Sequence, residues 1–555
     1  MTIKTVRNLR RLSQVVFFIV FVWLILKTNF EVNFNPAENT QIYLPYPVSI
    51  ALQFDPLVAL ATLLANGTLY KGLLWSLVIL IPTIFIGRFF CGWVCPLGSL
   101  NHWLSEIPSE RAKRKGKKLL DSNRYKKYQR FKYYILLVFL AGAFFGTLQT
   151  GLLDPLPLLA RSIGTVVLPG LHTGALTVLG WVKGLGFAPL SKAAQLFYDN
   201  VVAYFLPYTL MHFHTILTIG FLFVAILVLN RIFTRFWCRG ICPLGALLGL
   251  FSRFAIFGLE KDETTCDSCR KCVMHCQGAD NPEPGFVWRQ AECHLCLNCQ
   301  ASCPQSSLKF KFFPNQEVTK TNPPPTQKVD ITRRKVFASL AGGAVLWPVF
   351  RAGDAFEVNA NEKLIRPPGS VGEEDFLARC IRCGQCMRVC PNNALHPTFL
   401  EAGLEGLWSP ILIARIGYCE HTCTLCGQVC PTEAIRELTM VEKIGDEDHP
   451  PTRIGTAFID RGRCLPWAMA KTCIVCEEWC PTSPKAIFLR EVIVYNSKGE
   501  EVTVKQPHID PGLCTGCGAC ENACPVIDKP AVYINSVGET RSPKNQILLE
   551  RKGTT

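Results

Sequence analysis

Cysteines carry the most informative chemistry of this 555-residue chain, and all 28 fall into sets of four. Six sets are short runs of the form Cys-x-x-Cys-x-x-Cys-x-x-x-Cys or a close variant, and five of them end in Cys-Pro. Such runs are typical of bacterial [4Fe–4S] sites, because cysteines three residues apart can bind three corners of one cubane. The runs are Cys266, Cys269, Cys272 and Cys276; Cys293, Cys296, Cys299 and Cys303; Cys380, Cys383, Cys386 and Cys390; Cys419, Cys423, Cys426 and Cys430; Cys464, Cys473, Cys476 and Cys480; and Cys514, Cys517, Cys520 and Cys524.

The fourth cysteine of such a run usually binds the second cluster of a pair. We therefore expect six [4Fe–4S] clusters whose ligands are exchanged within three pairs of runs. The expected ligand sets are Cys266, Cys269, Cys272 and Cys303; Cys293, Cys296, Cys299 and Cys276; Cys380, Cys383, Cys386 and Cys430; Cys419, Cys423, Cys426 and Cys390; Cys464, Cys473, Cys476 and Cys524; and Cys514, Cys517, Cys520 and Cys480.

Disulfides and zinc are the alternatives for so many cysteines. Disulfides do not explain the repeated Cys-Pro endings, and zinc sites seldom use runs of four cysteines at this spacing. Three positions depart from the pattern: Gln277 replaces the proline after Cys276, Cys419 and Cys423 are one residue further apart than usual, and eight residues separate Cys464 from Cys473. None of these departures removes a ligand.

The remaining four cysteines form two Cys-x-x-x-Cys-Pro motifs, Cys91 with Cys95 and Cys238 with Cys242. The surrounding segments 88–98 and 235–245 are near copies, which indicates an internal repeat. A redox dithiol or a pair of reduced structural thiols is one interpretation, since cytosolic thiols stay reduced. The other is that all four cysteines meet and hold a seventh [4Fe–4S] cluster.

Long apolar runs predict membrane spans at 12–28, 72–90, 134–152 and 211–230, with a shorter fifth at 336–350. Lysines and arginines cluster before the first span, after the second and after the fourth, which orients the N-terminus toward the cytoplasm. Two further apolar stretches, 49–69 and 163–183, are expected to be interfacial or re-entrant helices. The fold class expected is an α-helical membrane domain plus α+β ferredoxin-like polycluster domains.

Four domains follow from these patterns. Residues 1–255 are the membrane domain with four spans and both Cys-x-x-x-Cys-Pro motifs, and 256–314 are a cytoplasmic two-cluster domain. Residues 315–352 hold a proline-containing linker, a twin-arginine-like motif at 332–337 and the fifth span. Residues 353–555 are a periplasmic four-cluster domain, so the expected location is a bacterial inner membrane. Topology and anionic lipid explain the net charge of +15, and we expect no nucleic-acid partner.

Short strands should flank the last two cysteine runs, as in a ferredoxin-like fold. Segments 458–460 and 508–510 precede the runs, and 486–489 and 531–534 follow them as return strands. Segment 374–377 is expected to be a helix that leads into the first run of the outer domain.

These motifs support a family resemblance. The first 310 residues resemble NapH, a membrane ferredoxin-type subunit, by their four spans, two Cys-x-x-x-Cys-Pro motifs and terminal pair of cluster motifs. Residues from about 330 resemble NapG and the related MauM, by the twin-arginine motif and four cysteine runs. The resemblance implies a fused quinol dehydrogenase that takes electrons from the quinone pool and passes them to a periplasmic acceptor. A multihaem cytochrome or a reductase within a larger complex would be such an acceptor.

Other cofactors lack their motifs in this sequence. There is no Cys-x-x-Cys-His for a c-type haem, no strand-associated G-x-G-x-x-G for a nicotinamide, and no flavin attachment motif.

Histidines near the fourth span are candidates for quinol binding. His212 and His214 are expected to begin this span on its outer side and to accept quinol protons, with Tyr208 and Asp154 nearby. Interfacial polar residues at a helix end are the alternative interpretation, and His102 is another candidate at the inner face. The function expected is quinol oxidation in anaerobic respiration. The alternatives are a conduit from a cytoplasmic donor that serves maturation or reactivation of a periplasmic metalloenzyme, and a structural membrane anchor.

Overall fold

A computed structural model describes most of the chain. Its contacts divide the chain into two compact units, here called the first and second units. The first contains Met1–Ile25, Ser49–Ile163 and Leu217–Pro348, and the second contains Leu26–Val48, Gly164–Ile216 and Val349–Thr555. The described residues are 3–28, 43–44, 48–68, 70–106, 120–121, 123–202, 211–278, 280–284, 286, 288–314, 332–355 and 361–547. Three features named above lie outside them: Tyr208, the basic segment 111–118 and the linker 315–328.

The first unit is mainly helical. Its helices are α1 Ile3–Lys27, α2 Ile50–Gln53, α3 Pro56–Asn66, α4 Leu77–Ile86, α5 Phe89–Trp93, α6 Pro96–Glu106, α7 Phe131–Phe144, α8 Pro155–Ser162, α11 Ile216–Ile232, α12 Phe236–Gly240, α13 Pro243–Ser252, α14 Lys271–Met274, α15 Asn298–Ser302 and α16 Arg333–Ala355. The ends of α1 and α16 and the first residue of α11 belong to the second unit. Two antiparallel strands, β1 Phe257–Lys261 and β2 Leu308–Phe312, enclose the first pair of cysteine runs.

Two helical stretches are long and apolar enough to cross a membrane, Thr5–Lys27 and Pro155–Gly184. The first agrees with the predicted span at 12–28. The predicted spans at 72–90, 134–152 and 211–230 form shorter helices, α4, α7 and α11. The fifth forms α16, which does not meet the same criterion of length and hydropathy.

Local chemistry explains the short α4. The chain ends this helix at Gly87, whose φ of 110° is unfavourable for other residues, and a new helix starts at Phe89. The predicted span at 72–90 is therefore interrupted where its Cys-x-x-x-Cys-Pro motif begins.

Residues 163–183, expected from the sequence to be an interfacial or re-entrant helix, form part of a longer helical stretch. Helix α8, a π-helical turn at Ile163–Val167 and α9 Leu168–Gly184 form one continuous stretch of 30 residues. The π-helical turn ends two residues before Pro169. Proline lacks an amide hydrogen, so a change of the hydrogen-bond register is favourable near it.

The second unit holds the last four cysteine runs. Its helices are α9, α10 Ala188–Phe197, α17 Glu373–Arg379, α18 Gln385–Val389, α19 Leu425–Gln428, α20 Met440–Ile444, α21 Leu465–Ala468, α22 Val475–Glu478 and α23 Ala519–Ala523. Its strands are β3 Leu395–Pro397, β4 Pro410–Leu412, β5 Thr456–Ile459, β6 Ile487–Tyr495, β7 Glu501–Ile509 and β8 Val532–Asn535.

Strand pairing interleaves the last two cysteine runs. Strand β5, before the Cys464 run, pairs with β8, which follows the Cys514 run. Strand β7, before the Cys514 run, pairs with β6, which follows the Cys464 run. Each antiparallel pair thus combines one strand from each half, which brings the end of each run toward the start of the other. The four predicted strands and the helix at 374–377 are present, but two strands are much longer than predicted: β6 continues to Tyr495 and β7 already begins at Glu501.

Candidate iron–sulfur centres

Cysteines of different runs line common cavities, and three of these cavities lie in the second unit. Each cavity is lined by three cysteines of one run and one of its partner run, in the exchanged pattern expected from the sequence. The sets are Cys464, Cys473, Cys476 and Cys524; Cys419, Cys423, Cys426 and Cys390; and Cys514, Cys517, Cys520 and Cys480. In the first unit, Cys293, Cys296, Cys299 and Cys276 line a fourth such cavity.

Members of the two other exchanged sets are also neighbours. Cys386 interacts electrostatically with Cys380, Cys383 and Cys430. Cys272 interacts in the same way with Cys269 and Cys303. Cys266, the remaining member of this set, is partly exposed.

The donor chemistry of these cavities fits a cationic iron–sulfur cluster. Burial and then neighbouring thiols raise the pKa of Cys386 and Cys426 well above its usual value. Thiolates crowded into an apolar pocket repel one another, and bound iron would supply the compensating positive charge. A bound cluster would store single electrons at these sites.

Backbone amides point at several of the sulfurs. Ala394 N–H donates to Cys390 Sγ over 3.3 Å, Ala457 N–H to Cys514 Sγ over 3.4 Å, and Ala531 N–H to Cys524 Sγ over 3.3 Å. Such bonds stabilise negative charge on sulfur and raise the reduction potential of a cluster.

A buried lysine adds a full positive charge beside one ligand set. Lys443 is 6% exposed, and its ammonium donates to the backbone carbonyls of Glu420 and Cys423. Burial would lower the pKa of Lys443, but the thiols of Cys419 and Cys423 outweigh it and raise the pKa. Lys443 is distant in sequence from the run it faces, so cysteine spacing gave no signal for it.

The four Cys-x-x-x-Cys-Pro cysteines line one cavity in the first unit. Cys91, Cys95, Cys238 and Cys242 share this cavity with Arg88 and with apolar side chains of Leu97, Pro155 and Leu244. All four cysteines are buried. The two halves of the sequence repeat therefore meet, as the seventh-cluster hypothesis requires.

The repeat has matching hydrogen bonds at this cavity. Gly98 N–H donates to Cys95 Sγ over 3.4 Å, and Gly245 N–H donates to Cys242 Sγ over 3.2 Å. In each half the second cysteine precedes a helix that begins with proline, α6 or α13, so its sulfur accepts from an otherwise unpaired amide of the first turn.

Polar side chains also contact the cysteines of this cavity. Arg88 Nη2 lies 3.9 Å from Cys91 Sγ, and Asn101 Nδ2 donates to Cys238 Sγ over 3.5 Å. Arg235, the repeat equivalent of Arg88, donates to the Cys91 carbonyl over 3.1 Å. Sequence reasoning missed these roles, although an arginine three residues before the first cysteine of both motifs was a usable signal.

The same motif packs against the neighbouring ferredoxin loop. Trp93 Nε1 donates to the Leu295 carbonyl over 3.0 Å, and a Cβ on Gly92 would lie 2.1 Å from the His294 carbonyl oxygen. Only glycine permits this approach. Arg235 Nη1 also lies 3.4 Å from His294 Nδ1, so the tetracysteine cavity and the Cys293 run are direct neighbours.

Gln277, the residue that replaces a proline, ties this ferredoxin domain to two helices. Its amide nitrogen lies 2.7 Å from His102 Nδ1 on α6, and its amide oxygen accepts from Arg10 of α1 over 3.4 Å. His102 is therefore a buried partner in a polar network.

The predicted quinol histidines lie in the second unit but do not begin a helix. Helix α11 starts at Ile216, so the prediction that 211–214 starts the fourth span is wrong. Thr215, just before the start of α11, has a φ of 57°, which is incompatible with a right-handed helix. His212 and His214 are both exposed. Asp154 is distant in sequence from them and belongs to the first unit.

Comparisons with known proteins agree with this cysteine chemistry. A family model described as a 4Fe-4S binding domain matches residues 68–115 and 214–259, which contain the two Cys-x-x-x-Cys-Pro motifs. A second model with that description matches residues 376–396 and 507–526. No solved structure matches the chain.

The chain is also similar to several curated ferredoxin-type proteins. The methylamine utilization ferredoxin-type protein MauM of Methylorubrum extorquens is 36% identical over 182 residues, which cover 32% of this chain and 74% of the relative. The ferredoxin-type protein NapG of Escherichia coli is 35% identical over 173 residues, 31% of this chain and 69% of the relative. MauM of Methylophilus methylotrophus is 31% identical over 204 residues, 36% of this chain and 83% of the relative. The chain therefore belongs to the family of NapG- and MauM-type ferredoxin proteins, which bind [4Fe–4S] clusters.

Proposed function

We propose that this protein is a membrane-bound electron carrier that oxidises quinol and passes single electrons through [4Fe–4S] clusters to a periplasmic acceptor. The observation that carries this proposal is the placement of the last four ligand sets within one compact unit. Each [4Fe–4S] cluster carries one electron at a time. A series of clusters in one unit can therefore take two electrons from a donor and deliver them singly to an acceptor. Quinol is the donor that the NapH and NapG resemblance implies.

A membrane location is part of this proposal. Helices α1 and the 155–184 stretch are long enough to span a bilayer. Helix α11 supports it further, because Leu217 and Phe221, four residues apart, are 83% and 77% exposed. Large apolar side chains on one exposed helix face suit contact with lipid better than contact with water.

A seventh cluster in the tetracysteine cavity is also proposed. Four buried sulfurs in one cavity, with matched amide donors and a 4Fe-4S binding domain match over both motifs, support it. Fully reconstituted protein should then contain about 28 irons per chain rather than about 24, since each cluster holds four. A Cys95→Ala variant should return the count to about 24. An unchanged count in this variant would favour a thiol pair without metal.

Proteoliposomes test the function as a whole. Protein inserted in vesicles that contain menaquinol should reduce an added c-type cytochrome, and vesicles without the protein should not. In matched vesicles, a Cys520→Ala variant lacks one ligand of a proposed cluster. Its rate of cytochrome reduction should be close to that of vesicles without protein. Equal rates for the wild-type protein and empty vesicles would contradict quinol oxidation.

A second candidate is a conduit from a cytoplasmic donor. The close packing of the Cys293 run against the tetracysteine cavity supports it, because electrons could then pass from the first ferredoxin pair toward the membrane. A reduced soluble ferredoxin that reduces the clusters faster than quinol does would favour this candidate.

A further inference from the structure

Arg388 is a buried cation with unused donors in the second unit. It lies on α18, between Cys386 and Cys390, and is only 1% exposed. Its Nη1 contacts Met211 Sδ at 3.6 Å, whereas Nε and Nη2 have no hydrogen-bond partner among the described residues. Buried guanidinium donors are costly when unpaired, so this arrangement points to an acceptor that is bound in use.

His396 is a second buried polar group next to the same segment. It is 0% exposed on β3, and neither ring nitrogen has a well-formed hydrogen bond among the described residues, apart from a weak contact with the Asn393 backbone. Its ring centroid lies 5.6 Å from that of His214 and 5.9 Å from that of Phe213.

Residues 211–214 connect the two groups. Met211 reaches Arg388, while Phe213 and His214 reach His396. Asn393 Nδ2 donates to the His212 carbonyl over 2.8 Å and fixes this segment against the cluster domain. The side chain of His212 is exposed, so His212 contributes its backbone, and His214 is the member of the predicted pair that faces a second histidine.

We propose that Arg388, His396 and His214 form a quinol headgroup site beside the first two clusters of the second unit. This inference rests on the proposed function and names the residues of its electron input. The site takes a two-oxygen aromatic ring: the Arg388 guanidinium donates to one ring oxygen, and His396 accepts the proton of a quinol hydroxyl. Met211 and Phe213, both buried, are the apolar side chains that contact Arg388 and His396.

The proposed step is balanced within this site. Quinol loses two electrons and two protons, and both O–H bonds break. Two oxidised [4Fe–4S] clusters, held by the neighbouring cysteine sets, would accept one electron each, and the protons would pass to the buried His396 and from there, past the exposed His214, to solvent. Burial, and then the neighbouring His214, hold the pKa of His396 at about 4, so its imidazole is neutral and has a free acceptor nitrogen at neutral pH.

Other charged and titratable groups near the site are consistent with this assignment. His172 of α9 feels the charge of Arg388, and its Nε2 lies 2.8 Å from the Tyr198 hydroxyl. A Cβ on Gly164 would lie 4.0 Å from the Arg388 Cβ, so the Arg388 side chain packs beside the chain at Gly164, within the second unit.

Variants of the full-length protein in detergent test the site. His396→Gln and Arg388→Met should each raise KM for menaquinol or lower the rate of cluster reduction by quinol at least tenfold, with full iron content and unchanged reduction by dithionite. His449→Gln, the same change at an exposed histidine of the second unit, is the matched control and should behave as the wild type. Binding of a non-reducing quinone analogue to the oxidised protein should weaken in parallel, which separates binding from turnover.

Two failures have different meanings. Wild-type rates and analogue affinity in both variants would overturn the site while leaving quinol oxidation intact. A wild-type protein that dithionite reduces and quinol does not would overturn the proposed function together with the site. If Arg388→Met loses iron because it lies in a cysteine loop, His396→Gln alone decides the outcome.

Discussion

Cys419 N–H donates a hydrogen bond of 2.8 Å to the carbonyl oxygen of Cys517. These cysteines belong to different pairs of runs, and Cys419 is also an electrostatic neighbour of Cys517. The two ligand sets that contain them are therefore adjacent, and both pairs of proposed clusters in the second unit form one series.

This contact predicts how a break in the series will behave. A Cys517→Ala variant should lose about four irons, because one cluster holds four. Quinol should still reduce the clusters on the Cys380 and Cys419 side, whereas the cluster at Cys464 should be reduced only by dithionite. Electron paramagnetic resonance can monitor the reduction of each cluster. If quinol reduced every remaining cluster in the variant, electrons would not travel in this order.

Lys443 should set the potential of the cluster at Cys419, Cys423, Cys426 and Cys390. A Lys443→Met substitution removes a buried positive charge that favours the reduced cluster. The potential should become more negative by on the order of 100 mV, for one charge a few ångströms away at an effective dielectric constant near 20. Redox titration monitored by electron paramagnetic resonance measures the change.

Lys498→Gln is the control for this substitution, because Lys498 is an exposed lysine in the turn between β6 and β7. A shift of the same size in Lys498→Gln would indicate a general charge effect and not the local contact of Lys443.

Gln277 should stabilise the first unit through its side chain. Gln277→Ala leaves the buried Arg10 and His102 without this partner, and such a loss costs about 1–3 kcal/mol. Thermal loss of the visible cluster absorption should occur at a lower temperature, with the initial iron content unchanged. Lys309→Ala, at an exposed strand position, should have little effect, and equal destabilisation by both would remove the assigned role of Gln277.

Glu373 predicts an acid-sensitive contribution to stability in the second unit. Burial alone would raise its pKa, but Arg366 and Arg541 hold the pKa at about 2, below the ordinary value of 4.5. Because the folded pKa is the lower one, the stabilisation is complete above pH 4.5 and is lost as the pH falls toward 2.

A Glu373→Gln variant tests this pH dependence. It should lower stability at pH 7 by about 2 kcal/mol, because two arginines lose a charged partner. The difference from the wild type, measured as the melting temperature by circular dichroism, should shrink between pH 4.5 and pH 3. A difference that does not change with pH would contradict the role of the charged pair.

Cysteine spacing predicted much of the candidate site, because ligand geometry constrains positions along the chain directly. The exchanged sets and the strands around the Cys464 and Cys514 runs follow from this local pattern. Lys443 and His396 could not be predicted, because each acquires its neighbours only through tertiary packing. Arg388 lies within a cysteine run, but its burial and its contact with Met211 also depend on tertiary packing.

Apolar runs were a poorer guide to helix bounds. The sequence from 155 to 184 is one continuous helical stretch despite Pro157 and Pro169, and a π-helical turn precedes the second of these prolines. In contrast, Gly87 and Thr215, with positive φ values, shorten two runs that composition alone extends.

Anaerobic mixing of the oxidised, purified protein with a reduced menaquinol analogue tests the central claim most directly. We expect the visible iron–sulfur absorption to bleach, and an inhibitor that competes with quinone should prevent it. Absorption that stays unchanged with quinol, while dithionite still bleaches it, would contradict quinol oxidation and favour a cytoplasmic electron donor.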